Sequence, residues 1–216
     1  MLLLDLMAKM MVKVKICGIT SAPDALWAAR AGADALGFNF WPGSKRHVDP
    51  SVVRAIVAEL PPFVSSVGVF VDAPPEQIRE IAELCALDYV QLHGNEPPSI
   101  CAKLKGLNVI KAFRIRSEES LRELGHYDVK AYLLDTYVEG KQGGTGERFD
   151  WHLARGGSQY GKIILAGGLK PENVGTAVLA ARPYAVDVAT GVEQEPGKKS
   201  KELVEAFIRM AKSIDV

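Results

Sequence analysis

From residue 12 onward the chain repeats two hydrophobic patterns in turn. Short apolar runs, the length of a β-strand, fall at 12–17, 34–40, 64–71, 88–93, 107–113, 130–135, 162–166 and 184–189. Between them lie amphipathic stretches at 23–30, 50–60, 74–86, 96–105, 117–124, 151–155, 171–181 and 198–212, whose apolar positions recur with helical spacing. Punctuation supports the division. Pro23 suits a first helical turn, and Asp49 and Asp72 are candidate N-caps. Ser117-Glu118-Glu119-Ser120 is only a weak capping box, because its last position is not Glu or Gln. Strands one, three, five and seven are apolar over most of their length, as parallel strands covered by helices are. Eight consecutive strand–helix units most simply close into a single (β/α)8 TIM barrel over residues 12–216. An open doubly wound sheet would show fewer strands and a nucleotide-binding turn after the first. Cys17-Gly18-Ile19-Thr20 is not such a turn.

The barrel reading says where chemistry belongs, since such folds place their active sites at the C-terminal ends of the strands. Cys17 ends the first strand, where Val14 and Ile16 alternate with Lys13 and Lys15. Ser44, Lys45 and Arg46 follow the second, and Asp72 the third. Gln91 and His93 lie on the fourth. Arg114 and Arg116 follow the fifth, and Asp135 ends the sixth. Gly167 and Gly168 follow the seventh, and Asp187, Thr190 and Gly191 mark the eighth. Taken singly, these glycines are ordinary turn residues. Taken together, after strands seven and eight, they point to a phosphate site built from backbone N–H groups.

Arg46 reads two ways, as a bidentate grip on a carboxylate or as a solvated loop arginine. His93 is a pocket-lining or structural residue, because none of the four histidines is paired at ligand spacing and no metal is expected. Cys17 differs from Cys85 and Cys101, which sit in helices, by ending a strand at the functional face. A free thiol has a pKa of about 8.5, so Cys17 acting as a base needs a local donor or cation to favour its thiolate. Asp135 acting as an acid needs the opposite, a carboxyl pKa raised from about 3.9.

Composition narrows the classes. Lysine and arginine number 26 and so do aspartate and glutamate, which argues against a nucleic-acid or membrane-surface binder and leaves any anionic ligand to local groups. No apolar run is long enough for a membrane span. Three cysteines form no disulfide framework, as expected of a cytoplasmic protein. Residues 1–11 fit no secretory signal. They read as a flexible tail or as a start placed too far upstream, since Met10 and Met11 also precede the first strand.

Several motifs occur in one order along the chain: VKICGIT (14–20), ADALGFNFWPGSKR (33–46), VGVFVD (67–72), VQLHG (90–94), LLDT (133–136), GGTG (143–146), LAGGL (165–169), AVDVATGVE (185–193) and PGKK (196–199). In these the chain resembles the phosphoribosylanthranilate isomerase family of tryptophan biosynthesis. The resemblance implies a cofactor-free barrel that rearranges N-(5-phosphoribosyl)anthranilate into 1-(2-carboxyphenylamino)-1-deoxyribulose 5-phosphate. It implies Cys17 as general base, Asp135 as general acid and Arg46 as the partner of the anthranilate carboxylate. Family members are monomers or dimers, so a homodimer stays open. The chain carries Ala166 and Ala189-Thr190 where the family often has serines; backbone donors survive both changes. The loop over 136–150 is expected to close over substrate.

Two alternatives are weaker. A related isomerase of histidine biosynthesis, or a bifunctional enzyme of both pathways, would carry aspartate in place of Cys17 and a second phosphate site early in the barrel. A sugar-phosphate-binding barrel without catalysis would be expected to have lost Cys17 or Asp135.

Overall fold

The computed structural model describes residues 11–115, 117–135 and 151–215. Its elements are β1 (Lys13–Cys17), α1 (Ala22–Arg30), β2 (Ala35–Asn39), α2 (Pro50–Glu59), β3 (Ser65–Phe70), α3 (Pro75–Leu84), β4 (Tyr89–Leu92), α4 (Pro98–Lys103), β5 (Val109–Arg114), α5 (Glu118–Arg122), β6 (Ala131–Asp135), α6 (Trp151–Gly156), β7 (Ile163–Ala166), α7 (Val174–Ala181), β8 (Ala185–Val188), β9 (Glu193–Glu195), β10 (Lys198–Lys199) and α8 (Lys201–Lys212). Strands β1 to β8 pair in parallel in sequence order, and β8 returns to β1 to close the barrel. The expected (β/α)8 barrel is the observed one.

Strand alternation divides the core into two layers. One face of each strand looks outward: Val14, Ile16, Leu36, Phe38, Val90, Leu92, Leu134 and Leu165 join the residues packed under the helices. The other face fills the barrel, with Val67, Ile110, Ala112, Leu133, Ile164 and Ala185 in one apolar cluster. The helices supply matching stripes. In α8, Val204, Phe207, Ile208 and Ala211 are buried at helical spacing, and the Ser200 hydroxyl caps the helix by accepting from Leu203 N–H. In α2, the Asp49 carboxylate accepts from Ser51 N–H as expected, and Val53 and Ile56 are buried.

The structure corrects several expected boundaries. Asp72 does not cap α3, whose N-cap is Pro74. The Asp72 carboxylate accepts instead from Asn95 N–H at 2.7 Å, and its own N–H donates to Glu96. Glu96 was expected to open the fourth helix, yet α4 begins at Pro98. Glu96 turns inward to the Lys111 ammonium at 2.8 Å, both side chains almost wholly buried. That ion pair ties β5 to the loop after β4, and so fixes the strand end that carries His93. Helix α7 begins at Val174, not at 171, because Lys170 N–H and the Gly168 carbonyl both bond the Asn173 side chain in a tight turn. Helix α8 begins at Lys201, and the residues before it form a hairpin, β9 and β10, that the apolar pattern did not indicate. Ser117 is the N-cap of α5 but makes no side-chain capping bond. Of the tail expected over 1–11 only Met11 lies within the described residues; it bridges Asp215. The loop over 136–150 and Arg116 lie outside them.

Asp34 closes the base of the barrel. Its carboxylate meets the Lys13 ammonium at 2.9 Å, Lys212 at 2.8 Å and Val14 N–H at 2.9 Å, joining β1, the start of β2 and the end of α8. Burial alone would raise this carboxyl's pKa. The bonds from Lys212, Lys13 and Val14 outweigh it and hold the group below the usual carboxylate range. A depressed folded-state pKa gives stability that is present above the unfolded value and lost as pH falls through the folded one. Asp34→Asn is therefore expected to lose about 1–2 kcal/mol at pH 7. Urea titrations should show the gap to wild type closing below about pH 4; a gap that stays constant down to pH 3 would contradict this account.

Candidate active site

Register decides which side chains meet. Cys17 pairs with Gly37, and Lys15 with both Ala35 and Asp187. Lys15 therefore shares the inward face of β1 with Cys17, one step below it. The same parity on the other strands lines a cavity of about 660 Å³ at the C-terminal end of the barrel with Cys17, Asn39, Val69, Gln91, His93, Arg114, Asp135, Ala166 and Asp187. Loop residues Trp41, Ser44, Arg46, Gly167, Gly168, Lys170, Thr190 and Gly191 complete its wall. All ten expected site residues, Cys17, Arg46, Gln91, His93, Asp135, Gly167, Gly168, Asp187, Thr190 and Gly191, thus line one cavity. Asp72 lines a neighbouring recess with Glu96 and Lys111, and Lys45 lines neither.

Lys15 is the residue the sequence reading left unused. Its ammonium, buried in the barrel, donates to Asp187 Oδ1 at 2.8 Å and to Gln91 Oε1 at 3.0 Å, and its charge acts on the nearby Cys17 thiol. Burial would lower its pKa, but Asp187 and Cys17 outweigh this and the net direction is up, so the group is a cation. The Cys17 thiol is pushed above its ordinary range by burial, while Lys15 and Lys199 pull the other way and Asp187 adds to the rise. Gly37 gives the thiol room: a Cβ there would lie 2.7 Å from Sγ. Across the cavity, Gln91 Nε2 and His93 Nδ1 are 2.8 Å apart, and His93 Nε2 lies 3.6 Å from Asp135 Oδ2. A thiol and a carboxyl thus face one space from β1 and β6, joined beneath by polar side chains. Gln91 and Asp187, expected to touch substrate, are largely occupied within the protein.

Arg46 is not a solvated loop arginine. Its Nε and Nη2 donate to the two oxygens of Glu193 at 2.8 and 2.6 Å, and Nη2 also reaches the Thr190 hydroxyl at 3.2 Å. Glu193 is buried and also accepts from Lys199 Nζ at 2.8 Å. Burial would raise the Glu193 pKa, but Arg46 and Lys199 hold it low. The hairpin of β9 and β10 thus presents a carboxylate–ammonium pair that fixes the guanidinium at the cavity wall. Glu193 and Lys199 were visible in AVDVATGVE and PGKK, but nothing in the sequence paired them with Arg46.

At the other end, Gly167 and Gly168 have φ of 90° and 62°, in the region that favours glycine. A Cβ on Gly191 would fall 1.9 Å from the Leu169 carbonyl oxygen, so only glycine lets the turns after β7 and β8 lie against each other. The latter is a single 3₁₀ turn, Thr190–Val192. Lys170 adds an exposed cation at the rim. Among the described residues no cluster of three His, Cys, Asp or Glu is arranged to hold a metal.

The Lys15–Asp187 pair is almost completely buried. Lys15→Met would strand the aspartate and cost about 3–5 kcal/mol, whereas Lys15→Met/Asp187→Leu should recover most of that loss. Urea unfolding of the two variants checks this, and equal losses in both would contradict it.

Comparison with known proteins agrees with this geometry. Residues 14–210 match the family model described as N-(5'-phosphoribosyl)anthranilate isomerase. A protein of that name from Geobacter sp. strain M21 is 52% identical over 204 residues, covering 94% of this chain and 100% of its own. Another from Geobacter metallireducens is 53% identical over 203 residues, with coverage of 94% and 100%. The solved phosphoribosyl anthranilate isomerase of Thermotoga maritima superposes with a TM-score of 0.87 at 45% identity, again over 94% of this chain and 100% of that one. A further solved isomerase, in complex with reduced 1-(o-carboxyphenylamino)-1-deoxyribulose 5-phosphate, gives 0.84 at 44% identity and the same coverage. With the barrel closed, the thiol and carboxyl facing one cavity, and this match along nearly its whole length, the chain belongs to the N-(5'-phosphoribosyl)anthranilate isomerase family.

Proposed function

We propose that this isomerase of tryptophan biosynthesis rearranges N-(5'-phosphoribosyl)anthranilate to 1-(2-carboxyphenylamino)-1-deoxyribulose 5-phosphate with Cys17 as general base and Asp135 as general acid. The observation that carries the assignment is the opposition of Cys17 and Asp135 across a cavity with a fixed guanidinium in its wall and paired glycine turns at its end. A volume of about 660 Å³ suits a ligand of this size. In this reading the phosphate rests on the turns of Gly167-Gly168 and Thr190-Gly191, with Lys170 at the rim. The anthranilate carboxylate meets the guanidinium edge that Glu193 leaves available, and the aromatic ring lies near Trp41 and Val69.

Protonated Asp135 gives its proton to the furanose ring oxygen. The bond from that oxygen to C1 breaks as the nitrogen lone pair forms a Schiff base. The Cys17 thiolate then takes the proton from C2, whose bonding pair becomes the C1=C2 bond of an enolamine. Tautomerisation adds a proton at C1 and removes one from the C2 hydroxyl, so no net proton is gained over the cycle. Standing on different strands lets the two groups address different sides of one sugar.

The required states invert the usual order: the carboxyl must be protonated while the thiol is ionised. With a thiol pushed up by burial, kcat/KM is expected to be flat across neutral pH, because the thiolate fraction rises as the protonated carboxyl fraction falls. Its alkaline decline then follows the thiol, above about pH 8.5. Asp135→Asn removes one of the two opposing requirements. Its residual kcat/KM, reduced roughly a hundredfold or more, should climb about tenfold per pH unit up to the thiol's pKa. Cys17→Ser should be impaired at every pH. Turnover followed by loss of anthranilate fluorescence reads all three enzymes. A pH-independent residue of activity in Asp135→Asn, or an unimpaired Cys17→Ser, would sink the assignment.

A further inference from the structure

The polar side chains beneath the cavity form a directed series, and the direction is set at one end. The Lys15 ammonium has protons to give and no lone pair to accept with. The Gln91 amide atom facing it at 3.0 Å is therefore the carbonyl oxygen. That orientation leaves the Gln91 NH2 group facing His93 Nδ1 at 2.8 Å. An amide NH2 only donates, so Nδ1 must present its lone pair. A neutral imidazole with a bare Nδ1 carries its proton on Nε2, the atom 3.6 Å from Asp135 Oδ2.

We infer that the donor-only ammonium of Lys15 fixes His93, through Gln91, in the neutral tautomer protonated at Nε2, so that His93 is the positioning residue that donates to the Asp135 carboxylate as it forms. The inference rests on the assignment of Asp135 as the acid. It differs from a salt bridge in a way the chemistry needs. An imidazolium beside Asp135 would favour the ionised carboxylate before any proton had been given away. A neutral N–H instead supplies a dipole to the carboxylate produced by proton transfer, and strengthens as charge develops there. Protonating Nδ1 as well would set N–H against N–H unless Gln91 turned over, and turning it over would set NH2 against the Lys15 ammonium. The groups around His93 resist that change from β1, β4 and β8 together, since Asp187 holds Lys15 in place at 2.8 Å. The gap of 3.6 Å lies just outside hydrogen-bond reach, as catalytic contacts commonly do before substrate binds.

The test is long-range nitrogen–proton correlation NMR of the full chain labelled in its histidine rings, with His93 assigned by its absence in His93→Gln. Wild type at pH 7 is expected to show Nδ1 bare and Nε2 protonated. A proton on Nδ1, alone or in an imidazolium, overturns the inference. Gln91→Glu places an acceptor against Nδ1 and should draw a proton onto it; a ring still bare at Nδ1 would show that the Lys15–Gln91 pair is not the cause. In kinetics, His93→Leu should lower kcat roughly tenfold to a hundredfold with little change in KM. His93→Gln, which can place an amide N–H where Nε2 stood, should restore part of it, and no difference between the two variants counts against the donor role. Asp135→Asn separates the two readings. Undiminished turnover in that variant sinks the acid assignment whatever the ring shows. A wrong tautomer with Asp135→Asn inactive overturns the present inference alone.

Discussion

A charged ammonium buried inside a barrel must find an acceptor in each direction it can donate, and much of this site is the answer to that demand from Lys15. Asp187 on the neighbouring strand supplies the counter-charge, Gln91 on the opposite wall supplies a carbonyl, and Cys17 lies within the influence of the charge they hold in place. Each answer has a functional consequence. The aspartate keeps the cation charged. The amide is oriented and so orients His93 toward Asp135. The thiol gains the one nearby charge that most favours its ionised form, against a burial that disfavours it. A cation of this kind adds little to stability compared with an apolar filling of the same volume. Its presence makes sense as the fixed point from which both ends of the proposed acid–base pair take their orientation.

The same logic appears at the cavity wall. Arg46 stands on a long polar loop, where an arginine would ordinarily sample many rotamers and lose entropy on binding. Here Glu193 holds one edge of the guanidinium and is itself held by Lys199, so the hairpin after β8 fixes a group that comes from the loop after β2. Thr190 lies between this cation and the glycine turns, touching the first and belonging to the second. The positions that would receive the two anionic ends of one ligand are thereby set relative to each other by the protein before any ligand arrives.

The barrel was legible because strand-length apolar runs and helical periodicity are local signals that parallel pairing repeats eight times. That Cys17, Asp135 and the glycine turns would line one cavity was legible because they stand at the strand ends, where the fold gathers its loops. What the sequence hid was partnership. Lys15 looked like the polar half of an alternating strand, and only closure of β1 against β8 shows that its face is the inside of the barrel. Glu96 looked like the start of a helix until Lys111 appeared beside it. Asp72 followed by proline looked like a cap, and its carboxylate went to the loop after β4. The hairpin of β9 and β10 carries too few apolar residues to announce a strand, and its purpose is evident only from Arg46. In each case the deciding contact joins residues far apart in the chain, which no periodicity records.

The most direct test of the account is a crystal structure of this protein with reduced 1-(o-carboxyphenylamino)-1-deoxyribulose 5-phosphate, the compound held by one solved relative. The account predicts the carboxylate on Arg46 and the phosphate against the turns of Gly167-Gly168 and Thr190-Gly191. It predicts an Asp135 oxygen about 3 Å from the hydroxyl that was the ring oxygen, and Cys17 Sγ about 3.5 Å from C2. A ligand bound end for end, or one whose C2 lies out of reach of Cys17 while Asp135 faces solvent, would contradict it.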